Sequence, residues 1–211
     1  MAQPVEHAKR RRIILQKAMA VFYAEGYANT TFQKIADRCG VSRPILYLYF
    51  RNKRSIFRSG ILLLLQEIET QLAPLTTDSS LTAGEKLLQV SNLLVDRFMR
   101  ERGLFGVLLE YFALLRARGA YPRAKVLHMT AGARQVYTTL ISDGIAKGDL
   151  TPCDPRQVYR AIFSLLEAAT LRLAVLGEED VDDIKTAIGL VIRAIEKPSS
   201  LPAAEAGAAA D

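Results

Sequence analysis

Between Ser42 and Lys53 the chain concentrates side chains suited to gripping and reading a nucleic acid. Arg43 can donate a bidentate pair of hydrogen bonds to a guanine edge, Pro44 and Ile45 can pack on thymine methyl groups, and the hydroxyls of Tyr47 and Tyr49 can reach phosphate oxygens. Leu46 and Phe50 stand four residues apart, so on a helix they share one face and anchor the segment while its other faces point outward. Thr30 and Thr31 upstream, Ser42 at the head of the segment and Lys53 beyond it would add phosphate contacts on either side. Arg10, Arg11 and Arg12 are placed for a flexible arm that follows the backbone or enters a minor groove.

The charge distribution points the same way. Residues 1–60 hold 12 Lys/Arg against 3 Asp/Glu, a balance of +9, whereas residues 61–211 hold 16 against 19, a balance of −3. A small basic segment of that density suits the phosphates of nucleic acid or an anionic lipid surface. A lipid surface explains the charge but neither the tyrosines nor the paired threonines. No uninterrupted apolar run, Ile61 to Leu65 among them, approaches the ~20 residues that span a bilayer, so no membrane partner is expected. The basic residues Lys9 to Arg12 precede an apolar stretch broken by Gln16 and Lys17, which is unlike a signal peptide, and a cytoplasmic location follows. Cys39 and Cys153 match no metal or redox spacing and read as buried small side chains. Catalysis would need a constellation, but the only histidines are His7 and His128, Ser42 and Ser55 lack a partner base, and there is no glycine-rich phosphate loop. We expect no enzyme, no metal and no cofactor.

Helical spacing recurs along the chain and period-two runs with hairpin turns do not, which predicts an all-α fold of about nine helices. The first runs from about Glu6 to Glu25 and stops at Gly26. Thr30 caps the second, with Gln33 returning the bond in a capping box, and this helix ends near Cys39-Gly40. Ser42 caps a third, short helix that tolerates Pro44 in its first turn and ends around Phe50. A fourth, leucine-rich helix starts at 51–53 and ends at Ala73-Pro74. Further helices are expected at about 82–101, 104–118, 122–147, 155–176 and 180–196. The organisation read from this is a three-helix helix-turn-helix domain at 1–52, a helical effector-binding and dimerisation domain at 53–197, and a disordered Ala/Pro/Ser-rich tail at 198–211.

The run Ala28-Asn29-Thr30-Thr31-Phe32-Gln33-Lys34-Ile35-Ala36, then Gly40-Val41-Ser42, then Leu46-Tyr47-Leu48-Tyr49-Phe50-Arg51-Asn52-Lys53 resembles the tetracycline-repressor (TetR) family of bacterial regulators. The resemblance covers roughly residues 10–57 and includes Gly26-Tyr27. Pro44-Ile45 stands where many members have Gly-Thr, so the operator cannot be copied from a relative. It implies a repressor that binds palindromic double-stranded operator DNA as a homodimer and is released by a small, largely hydrophobic effector. An activator or nucleoid-like binder using the same module is the alternative.

The resemblance further implies that the final two helices form a four-helix bundle between subunits. Apolar stripes fit this: Ile162, Leu166, Ala169 and Leu173 on the eighth helix, and Ile184, Ile188, Val191 and Ile195 on the ninth. Helices four to seven would enclose the effector. Phe98, Phe105, Tyr111, Phe112 and Tyr137 are expected as aromatic wall, and Glu110, His128 and Arg134 as polar orienters.

Overall fold

The computed structural model describes residues 4–198, and every regular element among them is helical. α1 spans Pro4–Asn29, α2 Phe32–Cys39, α3 Arg43–Tyr49, α4 Lys53–Thr77, α5 Ala83–Arg100, α6 Arg102–Ala117, α7 Arg123–Met129, α8 Ala131–Lys147, α9 Pro155–Leu171 and α10 Asp182–Arg193. A π-helical turn, Arg172–Leu176, extends α9. The tail expected to be disordered lies, from residue 199 onward, outside the described residues.

Two apolar clusters organise these helices. The first is built from Ile14, Ala18, Phe22, Ile35, Leu46, Phe50, Ile56 and Phe57, so it fastens α2 and α3 to the long first helix and the start of α4. The second gathers Leu72, Leu87, Val95, Tyr137, Ile162, Leu166 and Ile188 from α4, α5, α8, α9 and α10. α4 contributes to both, Ile61 to the first and Ile68 to the second. Leu104, Val107 and Leu108 of α6 also belong to the first cluster, which seats the N-terminal helices on the body.

Backbone chemistry sets the corners. Gly26 breaks α1 as expected, with φ 75° and ψ 169°, a conformation costly for any residue with a Cβ. Gly40 ends α2 in the left-handed region, its N–H bonded to Asp37 O and that of Val41 to Ala36 O. Asn52 and Ser55 close a reciprocal capping box at the head of α4, and Thr82 and Glu85 do the same for α5.

Local punctuation misled in three places. The cap of α2 is Thr31, whose hydroxyl accepts from Lys34 N at 3.2 Å, not Thr30; Gln33 bonds instead to Asp37 along the helix. α4 does not stop at Pro74, because the proline falls near the last turn and the Thr76 and Thr77 hydroxyls bond Ala73 O at 2.9 and 3.1 Å. The helix expected at 122–147 divides at Thr130 into α7 and α8. There, Gly132 lets Glu69 approach within 2.8 Å of where a Cβ would stand, and ten helices result among the described residues in place of nine.

Candidate nucleic-acid interface

α3 is short because Pro44 belongs to its first turn and Phe50 leaves helical geometry to join the core. Leu46 is fully buried, and with Phe50 it fixes the helix by the four-residue spacing. Arg43, Pro44, Ile45 and Tyr47 are exposed, as is Leu48, which is 75% exposed at the outer edge of the same face. The sequence reading missed Leu48. Its position four residues after Pro44 is the signal that could have found it. Tyr47 packs its ring on Phe32 at 4.6 Å, and Tyr49, half-buried, stacks on His7 at 4.6 Å. Ser42 occupies the N-cap position of α3, yet its hydroxyl makes no capping bond and it remains exposed beside Arg43.

Other expected contacts are committed elsewhere. Thr30 is fully buried and its hydroxyl donates to Gly26 O at 2.7 Å, so it closes the α1–α2 corner and presents nothing to solvent. Lys53 directs its ammonium at three carbonyls, Tyr27 O (2.8 Å), Ala28 O (3.0 Å) and Thr30 O (2.7 Å), and lies 4.8 Å from the centre of the Tyr27 ring. An ammonium has three hydrogens, so none is left for a phosphate. Burial pulls this group below its ordinary range, with the nearby Glu110 carboxylate opposing that shift. Arg10 to Arg12 form no flexible arm, because α1 begins at Pro4 and runs through them. Arg10 is exposed, but Arg11 donates to Ser59 Oγ at 2.9 Å and covers the Phe50 ring, and Arg12 pairs with Glu67 at 3.3 Å.

Glu110 is not a pocket residue. From α6 its carboxylate accepts the backbone N–H groups of Tyr27 (2.6 Å) and Ala28 (2.9 Å), just past the Gly26 break. Lys53 takes the carbonyls of the same corner, so an acid from α6 and a base from α4 hold one loop from two sides. No local pattern announces this, since Glu110 stands 83 residues from Tyr27.

Two cavities meet beneath this unit. An apolar one of about 390 Å³ lies among α4, α5, α6, α7, α8 and α9, with Phe98, Phe105, Phe112 and Phe163 in its wall. A second, of about 470 Å³, opens between the start of α4 and α7, where Tyr111 and His128 lie. Tyr137 lines neither. It is buried between α5 and α8, its hydroxyl 2.8 Å from Ser91 Oγ, and burial holds that hydroxyl protonated well above its usual range. Arg134 is exposed and outside both cavities. The cysteines are half-buried rather than buried.

The stripes expected between subunits are spent within one. Ile162, Leu166, Ala169, Leu173, Ile184 and Ile188 are all buried in the second cluster, and Val191 and Ile195 pack against it. A single subunit needs those stripes for its own core, which leaves a different face outward. On α9 that face exposes Ala161 and Ser164, with Leu165 and Ala168 half-buried at its edge, and on α10 it exposes Thr186 and Leu190, with Ala187 half-buried between them and Ala194 at the C-cap. Leu190 is 59% exposed.

A short helix with an exposed basic, aromatic face, fixed by a glycine turn to a supporting helix on a strongly basic unit, defines a helix-turn-helix DNA-binding protein. Residues 14–59 match the family model described as bacterial regulatory proteins, tetR family, and over that segment the chain is similar to TetR-family transcriptional regulators. Among curated relatives, the uncharacterised HTH-type transcriptional regulator YuxN of Bacillus subtilis is 30% identical over 84 residues, 39% of this chain and 29% of that protein. The fatty acid metabolism regulator protein of the same organism is 24% identical over 174 residues, 80% of this chain and 85% of that one. Among solved structures, a TetR transcription regulator from Haloarcula marismortui superposes with a TM-score of 0.80 at 19% identity, covering 90% of this chain and all of that one. FadR of Bacillus subtilis, in complex with stearoyl-CoA, superposes with a TM-score of 0.70 at 23% identity over 86% of this chain and 95% of that one. These likenesses extend the shared fold over the helices beyond residue 59. No described helix is long and apolar enough to cross a membrane.

Proposed function

We propose that the chain represses transcription in the cytoplasm by binding a palindromic operator as a homodimer, and that it is released when a long apolar effector of the fatty-acyl kind fills the α4–α9 cavity. The observation that carries the DNA reading is α3, held by Leu46 and Phe50 with Arg43, Pro44, Ile45, Tyr47 and Leu48 turned outward. Arg43 and the apolar pair read base edges. Tyr47 and Tyr49, with Thr31 and Ser42 at the neighbouring helix starts and the exposed Arg10 on α1, serve the phosphates. Two such helices in a dimer address half-sites about 34 Å apart, one helical turn.

The effector reading is supported by the cavity wall, whose side chains are apolar except for Glu69, Thr130, Glu167 and Thr170. FadR, similar in fold, holds stearoyl-CoA. An effector must favour the state that does not bind DNA. Tenfold derepression requires about 1.4 kcal/mol of differential binding, a modest demand on a buried acyl chain.

Binding of the purified protein to a genomic fragment library across a salt series tests the DNA reading. Palindromic sites should emerge, with log affinity falling against log salt by about 0.9 per neutralised phosphate. On the best site, Arg43→Ala should relax one base position at a cost of about 1–3 kcal/mol, while Tyr47→Ala weakens all sequences alike. Enrichment of no sequence, with salt-sensitive binding alone, would replace the repressor by a nucleoid-like binder.

A further inference from the structure

The two cavities have opposite characters and share a wall. Ile61, Leu108, Phe112 and Met129 line both. In the apolar chamber the only charged side chains are Glu69 and Glu167. In the other they are Arg54 and Arg58 on the first turns of α4 and Lys125 on α7, with His128 beside them and no carboxylate in the lining. Among the described residues none of those three cations forms an ion pair, although Arg12, Lys34, Arg97, Arg172 and Lys185 all do. Like charges from two helices facing one cavity without an acid repel each other, and an anion placed between them removes that cost.

We propose that the cavities form one bipartite site, the apolar chamber for a hydrocarbon chain and the Arg54–Arg58–Lys125–His128 chamber for a phosphate-bearing head attached to it. This rests on the fatty-acyl effector reading and goes further, assigning the head group its own residues. Guanidinium groups suit phosphate because their forked donors match its oxygens, and Lys125 adds a point charge. The four apolar residues that line both cavities set the two chambers side by side, within reach of one ligand.

The location gives the head a regulatory consequence. Arg54 follows Lys53, the clamp on the α1–α2 corner, in the same first turn of α4. A phosphate monoester brings about −1.5 to −2 charge. Set at the base of the basic N-terminal unit, it lowers the attraction for operator phosphates whether or not any helix tilts. Release should therefore depend on head charge as well as chain occupancy, and the head's share should fade as salt rises.

Calorimetric titration of the full chain without DNA, using dodecyl phosphate, dodecanoyl-CoA, dodecanol and dodecyltrimethylammonium, tests the site. Both phosphate-bearing ligands should bind at least tenfold tighter than dodecanol at low salt, with the cationic ligand weakest. Arg58→Gln combined with Lys125→Glu should remove that preference and leave dodecanol affinity unchanged. The comparison of ligands on the unmodified protein needs no variant to fold. Tight dodecyl phosphate with weak dodecanoyl-CoA would keep the phosphate site and exclude a nucleotide-bearing head. Equal binding of dodecanol and dodecyl phosphate, or preference for the cation, overturns the head site while the apolar-effector reading stands. Binding of none of the four overturns both.

Discussion

Lys53→Met is expected to destabilise the protein by about 2–3 kcal/mol, the upper part of the range for hydrogen bonds to a charged group. The substitution keeps the hydrocarbon stem but strips the α1–α2 corner of the group that bonds Tyr27 O, Ala28 O and Thr30 O. Water reaches the Ala28 side of that corner and replaces part of the loss, which is why the three bonds do not simply add. At this chain length 1 kcal/mol corresponds to about 2–4 °C, so Tm should fall by about 4–12 °C in a circular-dichroism melt. A phosphate contact would behave differently. It would leave Tm unchanged and lower the salt slope of operator binding by about one unit, and that result would return Lys53 to the DNA surface.

For the proposed homodimer we take the outward face of α9 and α10 as the contact, and Leu190→Arg is then expected to leave the subunit folded and to abolish that dimer. Leu190 is 59% exposed at the centre of the outward face of α10, so a charge there costs an isolated subunit little. Opposite a second copy of the same face it meets its own symmetry mate, and like charges in an apolar contact are costly. Sedimentation should show a monomer. Operator affinity should fall by about 10²–10⁴, the advantage that linking two binding events supplies. Ile188→Ala is the contrasting change: this side chain is fully buried, and the loss should appear as about 2–5 kcal/mol of stability. If Leu190→Arg remains dimeric at micromolar concentration, the subunits meet elsewhere.

These two residues show how periodicity informs and misleads. The spacing of Ile184, Ile188, Val191 and Ile195 correctly marks an apolar helix face, but an apolar stripe names no partner. The body needs those side chains against Leu87, Tyr137 and Ile162, and the weaker pattern Ala187, Leu190, Ala194 is what remains outside. Tyr137 illustrates the same ambiguity. Its ring suited a cavity wall, yet it is buried in the core, where Ser91 meets its hydroxyl.

What the sequence determined alone is everything that depends on neighbours within a few residues. The helical class follows from local spacing, the break at Gly26 and the stop at Gly40 from backbone sterics, and the outward placing of Arg43, Pro44, Ile45 and Tyr47 from Leu46 and Phe50 as the buried pair of α3. The concentration of positive charge in the first sixty residues is likewise a property of the chain as written. Only the tertiary structure decided which charged groups are free and which are occupied, because the partners that occupy them are remote in sequence. Lys53 and Thr30 close the corner with Glu110, Arg11 and Arg12 turn to α4, and Arg54, Arg58 and Lys125 converge on one cavity without a carboxylate. A hydrogen bond is satisfied by proximity in space, and sequence spacing fixes that proximity only along a single helix.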